Sequence, residues 1–368
     1  MLDLSTADDL ELGALLARHG APAWRAGQLR RAAWRPGVAD LDGMTDLPRS
    51  LRDALRGELR VQAVEVVTVT EADEGRTLKL LCRLGDGQTV ETVAMETPAR
   101  GASGRRSTVC VSSQVGCAVG CPFCATARLG LIRSCTASEI VDQVRAAGAE
   151  LAARGLGPVT HVVYMGMGEP LANLDATLSS VRALVAAGIG ARRVTVSTSG
   201  VIPGIEALTA AAIPITLALS LHAADDELRD HLVPLNRAHP LDRLLPAVED
   251  HARVTGRRLT LEWCLIGGVN DAPVQAEGLA AIARRLRAHV NVIPMNHIDG
   301  SPWGPPPPER ARAFLAALGG TRVTVRDTRG AQGEAACGQL RATLERRREL
   351  GPDGRLLPMR PRRPAADG

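Results

Sequence analysis

The 368-residue chain is 45% hydrophobic, a composition that can bury a large core and that is ordinary for a soluble globular protein. No apolar run reaches the roughly 18 residues of a membrane-spanning helix, and residues 1–5 lack the basic-then-apolar order of a signal peptide, so we expect neither a membrane protein nor a secreted one. The eight cysteines are therefore expected in a reducing cytoplasm, where cysteines bind metals or catalyse reactions rather than form a disulfide framework.

The first hundred residues are predicted to form an accessory domain that is helical at first and then β. Proline and glycine separate three predicted helices, over 8–19, 23–33 and 48–59. Alternating β-branched residues then predict three strands, over 61–70, 78–83 and 89–95, with a hairpin signal at 85–87. A linker over 98–104 follows, so we place the end of this domain at residue 100.

After the linker, apolar strand-like runs alternate with helical segments. The runs lie at 108–112, 159–165, 193–198, 215–221, 259–265, 290–294 and 322–326. The helices lie between them, at 138–154, 174–187, 205–212, 241–255, 276–288 and 308–318, the first with Ser138 as its N-cap. Continuously apolar strands that alternate with helices indicate a parallel sheet covered by helices. We predict an α/β fold with a partial or complete (β/α) barrel over 101–340.

The net charge of +4 is concentrated in the last part of the chain. Residues 341–368 hold eight arginines against four acidic residues, so the rest of the chain is about neutral. A proline-rich basic tail of this kind is predicted to be disordered and to contact nucleic acid, although a tail that only aids solubility is the alternative. Because aromatic residues make up only 2% of the chain, phosphate contacts and shape rather than base stacking would have to recognise RNA.

Cys117, Cys121 and Cys124 are the most informative residues, because their C-x3-C-x2-C spacing resembles the signature of radical-SAM enzymes. Three thiolates on a short loop can hold three irons of a 4Fe–4S cluster, which normally takes four cysteine ligands. The fourth iron is then open to chelate the amino and carboxylate groups of S-adenosylmethionine (SAM), as an open position marks catalytic metal sites in general. A zinc knuckle and three incidental buried thiols are the alternatives, but zinc would need a second Cys or His pair nearby, and the next cysteine, Cys135, stands alone.

Further polar motifs follow other predicted strands, and the active site of a (β/α) barrel lies at the carboxyl ends of its strands. Gly168 and Glu169 close the second strand, where glycine permits close approach and the carboxylate can hydrogen-bond a ligand's ammonium group. Polar segments also follow the third, fourth and sixth strands: Ser197, then the run Ser220, Leu221 and His222, and finally Asn296. Each alone is more often an ordinary strand-end residue, but their convergence with the cysteine motif predicts a ligand-binding face.

Two cysteines outside this motif need an explanation. Cys110 lies on the first strand of the predicted barrel, and Cys337 lies in a glycine-flanked loop just beyond the last strand. The barrel would return that loop to the same face. We interpret the other three cysteines, Cys82, Cys135 and Cys264, as small buried hydrophobic residues.

These motifs together closely resemble the RlmN/Cfr family of radical-SAM RNA adenine methyltransferases, and most of all its RlmN branch. The resemblance covers about residues 1–345, and its motifs lie at 110–127, 164–171, 194–200, 220–223, 326–330 and 336–340. The paired extra cysteines, Cys110 and Cys337, separate this family from other radical-SAM enzymes. One loop departs from the family pattern, because His297 follows Asn296 where the family usually has Asn-Pro.

The resemblance implies a radical-SAM (β/α) barrel and a reaction in which both extra cysteines take part. One SAM would methylate the Cys337 thiolate, and a second SAM on the open iron would yield a radical that takes hydrogen from that methyl group. The resulting carbon radical would add to C2 of an adenosine and form a covalent enzyme–RNA intermediate. Glu91 is implied as the base that removes the ring proton, and Cys110 as the thiol that attacks Cys337 and leaves a disulfide.

The family also implies cofactors and partners. The cofactors are one 4Fe–4S cluster and SAM, two molecules per turnover, with the strand-end residues named above as SAM contacts. The substrate is large-subunit (23S) rRNA, with tRNA as a further candidate, and we expect residues 1–100 to help bind it. An electron donor such as flavodoxin or ferredoxin is implied, and we expect a monomer that does not associate with membranes.

Three other functions stay open on the sequence. A member of the same family could methylate C8 of adenine, the ring position linked to antibiotic resistance, or act on another RNA. A radical-SAM activase or peptide-modifying enzyme would use the cysteine loop and SAM face, and Cys110 and Cys337 would then be accidental. An iron–sulfur RNA-binding protein without catalytic activity would not need the SAM-face motifs at all.

Overall fold

The computed structural model describes residues 1–99, 104–298 and 301–326, together with Leu340. In chain order the elements are β1 (Leu2–Asp3), α1 (Asp9–Arg18), α2 (Arg25–Ala33), α3 (Arg49–Leu55), β2 (Leu59–Arg60), β3 (Val64–Ala72), β4 (Thr77–Leu84), β5 (Thr89–Thr97), β6 (Arg106–Cys110), β7 (Gln114–Gly116), β8 (Leu131–Ser134), α4 (Ala137–Ala153), β9 (Val159–Tyr164), α5 (Leu174–Ala186), β10 (Val194–Thr198), α6 (Ile202–Ala210), β11 (Thr216–Ser220), α7 (Asp226–Leu232), α8 (Leu241–Thr255), β12 (Thr260–Leu265), α9 (Pro273–Arg285), β13 (His289–Pro294), α10 (Pro308–Ala317) and β14 (Val323–Val325).

One ten-stranded sheet organises the described part of the chain, in the order β14-β13-β12-β11-β10-β9-β6-β5-β4-β3. Strands β6 and β9 to β14 run parallel, and helices join them, which is the arrangement of a partial (β/α) barrel. Strands β3, β4 and β5 extend the sheet beyond β6 in antiparallel order. The predicted α/β fold is therefore confirmed, including the helical and β elements before the barrel.

The predicted domain boundary at residue 100 stays a prediction. The sheet crosses it, because β5 pairs with β6, and Val93 lies opposite Cys110. A separate hydrophobic core holds residues 4–61 alone, formed mainly by leucines of α1, α2 and α3. The basic tail, 341–368, lies outside the described residues.

The parallel strands are apolar on the face that the helices cover and more polar on the inner face. In β12, Trp263 is fully buried and packs against Phe314 of α10, with 5.7 Å between the ring centroids. Its neighbours Glu262 and Cys264 instead line a cavity inside the barrel. Alternation of this kind follows from the two-residue period of a strand.

A buried ion pair on α4 forms hydrogen bonds that join α4 to the N-terminal helical unit. The Arg145 guanidinium pairs with Asp142 at 2.6 Å and donates to the backbone carbonyls of Ala33, Val38 and Val61. The second Asp142 oxygen accepts the N–H of Ala63 at 2.7 Å. Burial raises the pKa of Asp142, and the Arg145 charge opposes that shift.

Some local features differ from the sequence-based expectations. The N-cap of α4 is Thr136 rather than Ser138, because Thr136 and Glu139 form a reciprocal capping box. The short hairpin of β7 and β8 and the helix α7 were not expected, since three to seven residues carry too little periodicity to reveal an element. Within the described ranges, every helix is too short or too polar to cross a membrane.

The buried pair makes the first prediction. Arg145→Ala leaves Asp142 and three carbonyls without their donor, so we expect it to lower the free energy of unfolding by about 3–5 kcal/mol. Arg154→Ala is the matched control, because Arg154 binds Glu71 and Glu150 on the surface of the same segment, and we expect a loss under about 1 kcal/mol. Urea unfolding measures both, and equal losses would contradict the assignment.

Candidate active site

The cysteine loop starts and ends at one closed point between β7 and β8. Gly116 has φ +79°, and a Cβ there would lie 1.8 Å from the carbonyl oxygen of Gly130, so the position admits only glycine. The same carbonyl accepts the N–H of Cys117 at 3.0 Å. The thirteen residues between these two glycines, 117–129, therefore form a loop whose ends touch.

The three thiols of this loop face one cavity of about 150 Å³. A backbone turn brings two of them together, since the Cys124 N–H donates to the Cys121 carbonyl at 3.0 Å. Burial raises the pKa of Cys117 to about 12 and that of Cys121 well above its usual value, and the neighbouring thiols and Glu169 raise both further. A bound cation reverses this balance, because it holds coordinating thiols in the deprotonated form.

These thiols fit a multi-iron cluster. They stand next to one another in the cavity wall and are stabilised as ligands only when positive charge is present. Within the described ranges, no group of three or more His, Cys, Asp or Glu side chains has the geometry for a single metal ion.

A small apolar core supports the loop from below. Phe123 packs edge-on against the ring of His222, with 4.9 Å between the centroids. Buried Val233, Ile266 and Met295 belong to the same cluster. The cysteine loop is thus packed against the segments that follow β11, β12 and β13.

Glu169 lies in the cavity wall, where β9 ends, and is 3% exposed. Its carboxylate accepts the N–H groups of Leu171 at 3.0 Å and Ser199 at 2.7 Å. Burial raises the pKa of Glu169, and these hydrogen bonds, with one from Thr198, oppose the shift. These hydrogen bonds fix the Glu169 carboxylate in the cavity wall, where it could bind the ammonium group of a ligand.

Gly166 and Gly168, before Glu169, were expected to allow close approach of a ligand, but they allow close approach of another part of the chain. Both line the cavity, but a Cβ on Gly166 would lie 2.7 Å from the carbonyl of Val111, and one on Gly168 would lie 2.6 Å from Gln114. The glycines thus allow the end of β9 to pass against the segment that follows β6. Gln114 uses this proximity, since its side-chain oxygen accepts the N–H of Glu169 at 2.9 Å.

The hydroxyls after the third and fourth parallel strands also meet at the cavity. The Oγ atoms of Ser197 and Ser220 lie 3.2 Å apart, across β10 and β11. Leu221, in contrast, is not part of the cavity wall: its side chain belongs to the main core, and its N–H donates to the carbonyl of Glu262. The structure therefore gives Ser220 and its neighbour His222 a direct place at the cavity, and Leu221 a supporting one.

His222 is buried, has φ +61°, and forms part of the cavity wall. Its Nδ1 accepts the backbone N–H of Cys264 at 2.9 Å, so the neutral ring carries its proton on Nε2. Burial, helped by the charge of Arg229, lowers the pKa of His222 to about 3. His222 can thus offer a neutral N–H donor to a ligand throughout the physiological range.

Arg229, on α7, is a site residue that the sequence did not reveal. Its side chain is fully buried, and it donates to the carbonyls of Ser199, Ser220 and Leu221 and to Asn236. Burial lowers its pKa to about 10. Arg229 ties together the ends of β10 and β11 and places a positive charge near the Cys121 thiol.

The opposite wall of the cavity comes from β12 and β13. Asn296 is there as predicted, 8% exposed. Glu262 was not expected: it is buried, and its carboxylate accepts the Asn291 amide at 2.8 Å. The interpretation of Cys264 as a buried hydrophobic residue was wrong, because it is partly exposed and lines the cavity.

The predicted catalytic residues Glu91 and Cys110 do not line this cavity and lie on β5 and β6. Cys110 lies opposite Val93, so Glu91 is its diagonal neighbour on the same face of the sheet. The Glu91 carboxylate pairs with Lys79 at 3.3 Å. The two residues are thus neighbours on one face of the sheet.

Cys337 lies outside the described residues. Leu340, three residues later in the chain, is 4% exposed and lines the cavity. Its carbonyl accepts the hydroxyl of Thr126 at 2.8 Å, two residues after Cys124. Leu340 is therefore in contact with the cysteine loop.

Comparison with known proteins decides the family. Residues 111–277 match the Radical SAM superfamily. The chain is 46% identical over 341 residues to a probable dual-specificity RNA methyltransferase RlmN of Parafrankia sp. (strain EAN1pec), covering 88% of this chain and 87% of that one. It is 45% identical over 346 residues to the protein of the same name from Moorella thermoacetica, covering 92% and 97%. The chain belongs to the RlmN family of radical-SAM RNA methyltransferases.

A solved structure agrees with this membership. The crystal structure of a radical SAM methyltransferase from Sphaerobacter thermophilus superposes with a TM-score of 0.87 at 45% identity, covering 93% of this chain and 99% of that one. The family uses a 4Fe–4S cluster and SAM, and it acts on RNA. The three-thiol loop and the polar groups in the cavity beside it are the donors that such cofactors need.

The burial of His222 makes a prediction about pH. Its pKa of about 3 lies below the ordinary value of 6.5. Between these two values, His222 is protonated in the unfolded chain but stays neutral in the folded protein. Stability should therefore fall as the pH drops from 6.5 toward 3, and by pH 5 this one group should cost about 2 kcal/mol.

The matched variant is His222→Gln, whose side-chain oxygen can still accept the Cys264 N–H. Between about pH 7.5 and pH 5 the free energy of unfolding, measured in urea, should fall by about 2 kcal/mol less in the variant than in the wild type. Parallel pH curves for the two proteins would show that His222 is not held neutral.

Proposed function

We propose that the protein methylates C2 of an adenosine in 23S rRNA and in tRNA, through a methyl group carried on Cys337. The observation that carries the proposal is the contact of Leu340 with Thr126 in the wall of the three-thiol cavity. Cys337 stands three residues before Leu340 in the sequence, and we propose that it acts at this cavity. The printed name of the relatives, dual-specificity RNA methyltransferase, supports two classes of RNA substrate.

The chain's own residues divide the work of binding. Cys117, Cys121 and Cys124 would hold the 4Fe–4S cluster. Six adjacent cavity residues would hold SAM, with Leu221 in support through its backbone: Gly168, Glu169, Ser197, Ser220, His222 and Asn296. Together the cluster and SAM supply the one-electron chemistry that an unreactive ring carbon requires. We assign two SAM molecules to each turnover, one of them as the source of the Cys337 methyl group.

The remaining steps use two side chains on β5 and β6. Glu91, positioned by Lys79, would take the proton from the methylated ring carbon. Cys110 would attack the sulfur of Cys337 and break its bond to the RNA-linked carbon. The methylated RNA would be released, and Cys110 and Cys337 would form a disulfide. The register places Glu91 and Cys110 as diagonal neighbours, which are typically about 7–8 Å apart and so can act on one substrate.

Partners follow from this chemistry. The target adenosine would have to leave its stack to reach the cavity. We propose flavodoxin or ferredoxin as the electron donor and a monomer as the active form. Thiols that must return to the reduced state and an RNA substrate both favour a cytoplasmic location.

The cluster ligands can be tested without any turnover. Each of Cys117→Ala, Cys121→Ala and Cys124→Ala removes one of three thiolate donors, so anaerobic reconstitution should yield less than about a tenth of the wild-type iron and sulfide. Cys82→Ala is the control, since Cys82 is buried in β4, away from the loop. Iron and sulfide analysis with the visible absorption spectrum measures the result, and a full cluster in any one loop variant would refute the assignment.

The two remaining cysteines should fail in different ways. Cys337→Ala has no methyl acceptor and should form no adduct with RNA. Cys110→Ala can still be methylated at Cys337 and can still add to the base, but it lacks the thiol that releases the product. It should therefore accumulate protein linked to RNA, seen as a nuclease-sensitive shift on a denaturing gel. Normal methylation by both variants would overturn the mechanism.

The ring position needs its own measurement. Mass spectrometry of nucleosides from rRNA and tRNA, taken from a deletion strain and from its complement, should show 2-methyladenosine only when the gene is present. 8-Methyladenosine would replace the proposal with C8 chemistry. If the complemented strain contains 2-methyladenosine in its rRNA but not in its tRNA, the substrate is restricted to rRNA.

A further inference from the structure

Arginines stand at the end of the barrel opposite the cavity. Five of the seven parallel strands begin within two residues of an exposed arginine. We call these residues the basic rim: Arg105, Arg192, Arg193, Arg258, Arg287 and Arg322. They precede β6, β10, β12, β13 and β14, so they surround the amino ends of the strands.

The rim has little compensating negative charge. Arg105 pairs with Glu96 at 3.1 Å. Among the described residues, none of the other five rim arginines forms an ion pair with a carboxylate. Because the chain before residue 341 is about neutral overall, this is a local excess rather than a general property of an arginine-rich protein.

The positive charge at this end of the barrel also acts on two nearby histidines. The pKa of His161 is lowered to about 4, by burial first and then by Arg106 and Arg193. The pKa of His289 is lowered by burial and then by the charges of Arg258, Arg326 and Arg322. Crowded positive charge opposes folding unless an anion relieves it.

Helix stabilisation does not explain the rim. Arginines in the last turn of a helix favour its negative end, and Arg284 and Arg285 of α9 have that position. Arg192 and Arg193 belong to a single 3-10 turn, Ala191–Arg193, but Arg258, Arg287 and Arg322 lie beyond the helix ends, in the connections to the strands. Arg287 even has φ +49°, a conformation that costs free energy for a side chain with a Cβ.

Three rim residues line one concave surface. Arg258, Arg287 and Arg322 surround a depression of about 860 Å³, formed by the connections that lead into β12, β13 and β14. A guanidinium can bind a phosphate with two parallel hydrogen bonds, and a concave array can contact successive phosphates. The shape and the charge of this depression match a nucleic-acid backbone.

We infer that the basic rim binds the phosphate backbone of the RNA substrate, at a segment different from the one that enters the cavity. The inference rests on the RNA substrate of the family. Strands of five to six residues separate the two ends of the barrel by roughly 17–20 Å, so one stretch of RNA cannot contact both directly. Two other partners for the rim are less suitable. The arginine-rich residues 341–368 carry the same charge as the rim and would be repelled by it. An electron donor has to reach the cluster, which is at the other end of the barrel.

The experiment compares two variants with the same change in charge. Arg258→Gln, Arg287→Gln and Arg322→Gln together remove three rim charges. Arg76→Gln, Arg182→Gln and Arg312→Gln together remove three exposed arginines elsewhere, and none of these makes an ion pair in the described part of the chain. Each full-length protein is tested against a short stem-loop that carries the target adenosine and against a long fragment of large-subunit rRNA.

The rim variant should bind the long RNA about ten-fold more weakly at low salt, and the slope of log K against log salt should shrink by about two. Its binding to the stem-loop, and methylation of the stem-loop, should stay within about two-fold of the wild type. The control variant should behave as the wild type does with both RNAs. The same three positions changed to Lys should keep most of the salt dependence, which separates lost charge from lost folding.

Three results would overturn the inference. These are equal losses in the rim and control variants, equal losses for the long and short RNA, or weakened binding of an acidic electron-donor protein with RNA binding unchanged. If the wild type methylates neither RNA, the proposed reaction fails, but the binding comparison still decides the role of the rim.

Discussion

The architecture of the site depends on one buried hydroxyl, that of Ser112. Its Oγ donates to the carbonyl of Glu91 at 2.6 Å and accepts the N–H of Met167 at 2.9 Å. From α4, the Gln143 amide holds both backbone groups of Ser112, at 2.8 and 2.9 Å. One residue thus sets the relative positions of the proposed base, the turn that holds Glu169 and the start of the cysteine loop. Because every partner is buried, loss of any one leaves a polar group unsatisfied.

The sequence reveals those parts of the fold that depend on local pattern. The apolar runs and the helices between them predict the parallel sheet because strands buried on both faces have nearly continuous apolar sequences. The cysteine spacing predicts the loop because the ligands of one cluster must lie close together. Strand-end motifs such as Ser197 and His222 could then be placed on one face by the rule for barrels. These predictions concern residues that belong to a pattern or motif formed by their neighbours in the chain.

The residues that the sequence missed act across the fold. Ser112, Gln143 and Arg229 are ordinary polar residues in the sequence, and their partners lie on other elements. Glu262 follows the same logic: it occupies an apolar-looking run, but the two-residue period of β12 turns it into the cavity. A single sequence shows which residues are polar, but only the assembled sheet shows which of these residues face one another.

The contact between Gly116 and Gly130 has a consequence for how metal enters. The loop is closed by backbone packing and by the N–H of Cys117, so its closure is a product of chain folding. The entropy of bringing distant ligands together is therefore lost before any iron arrives. A chelate on this loop would be prepared in advance, and iron would then leave and return without the chain having to unfold. A cell that loses the cluster to oxygen would then keep a repairable enzyme instead of discarding it.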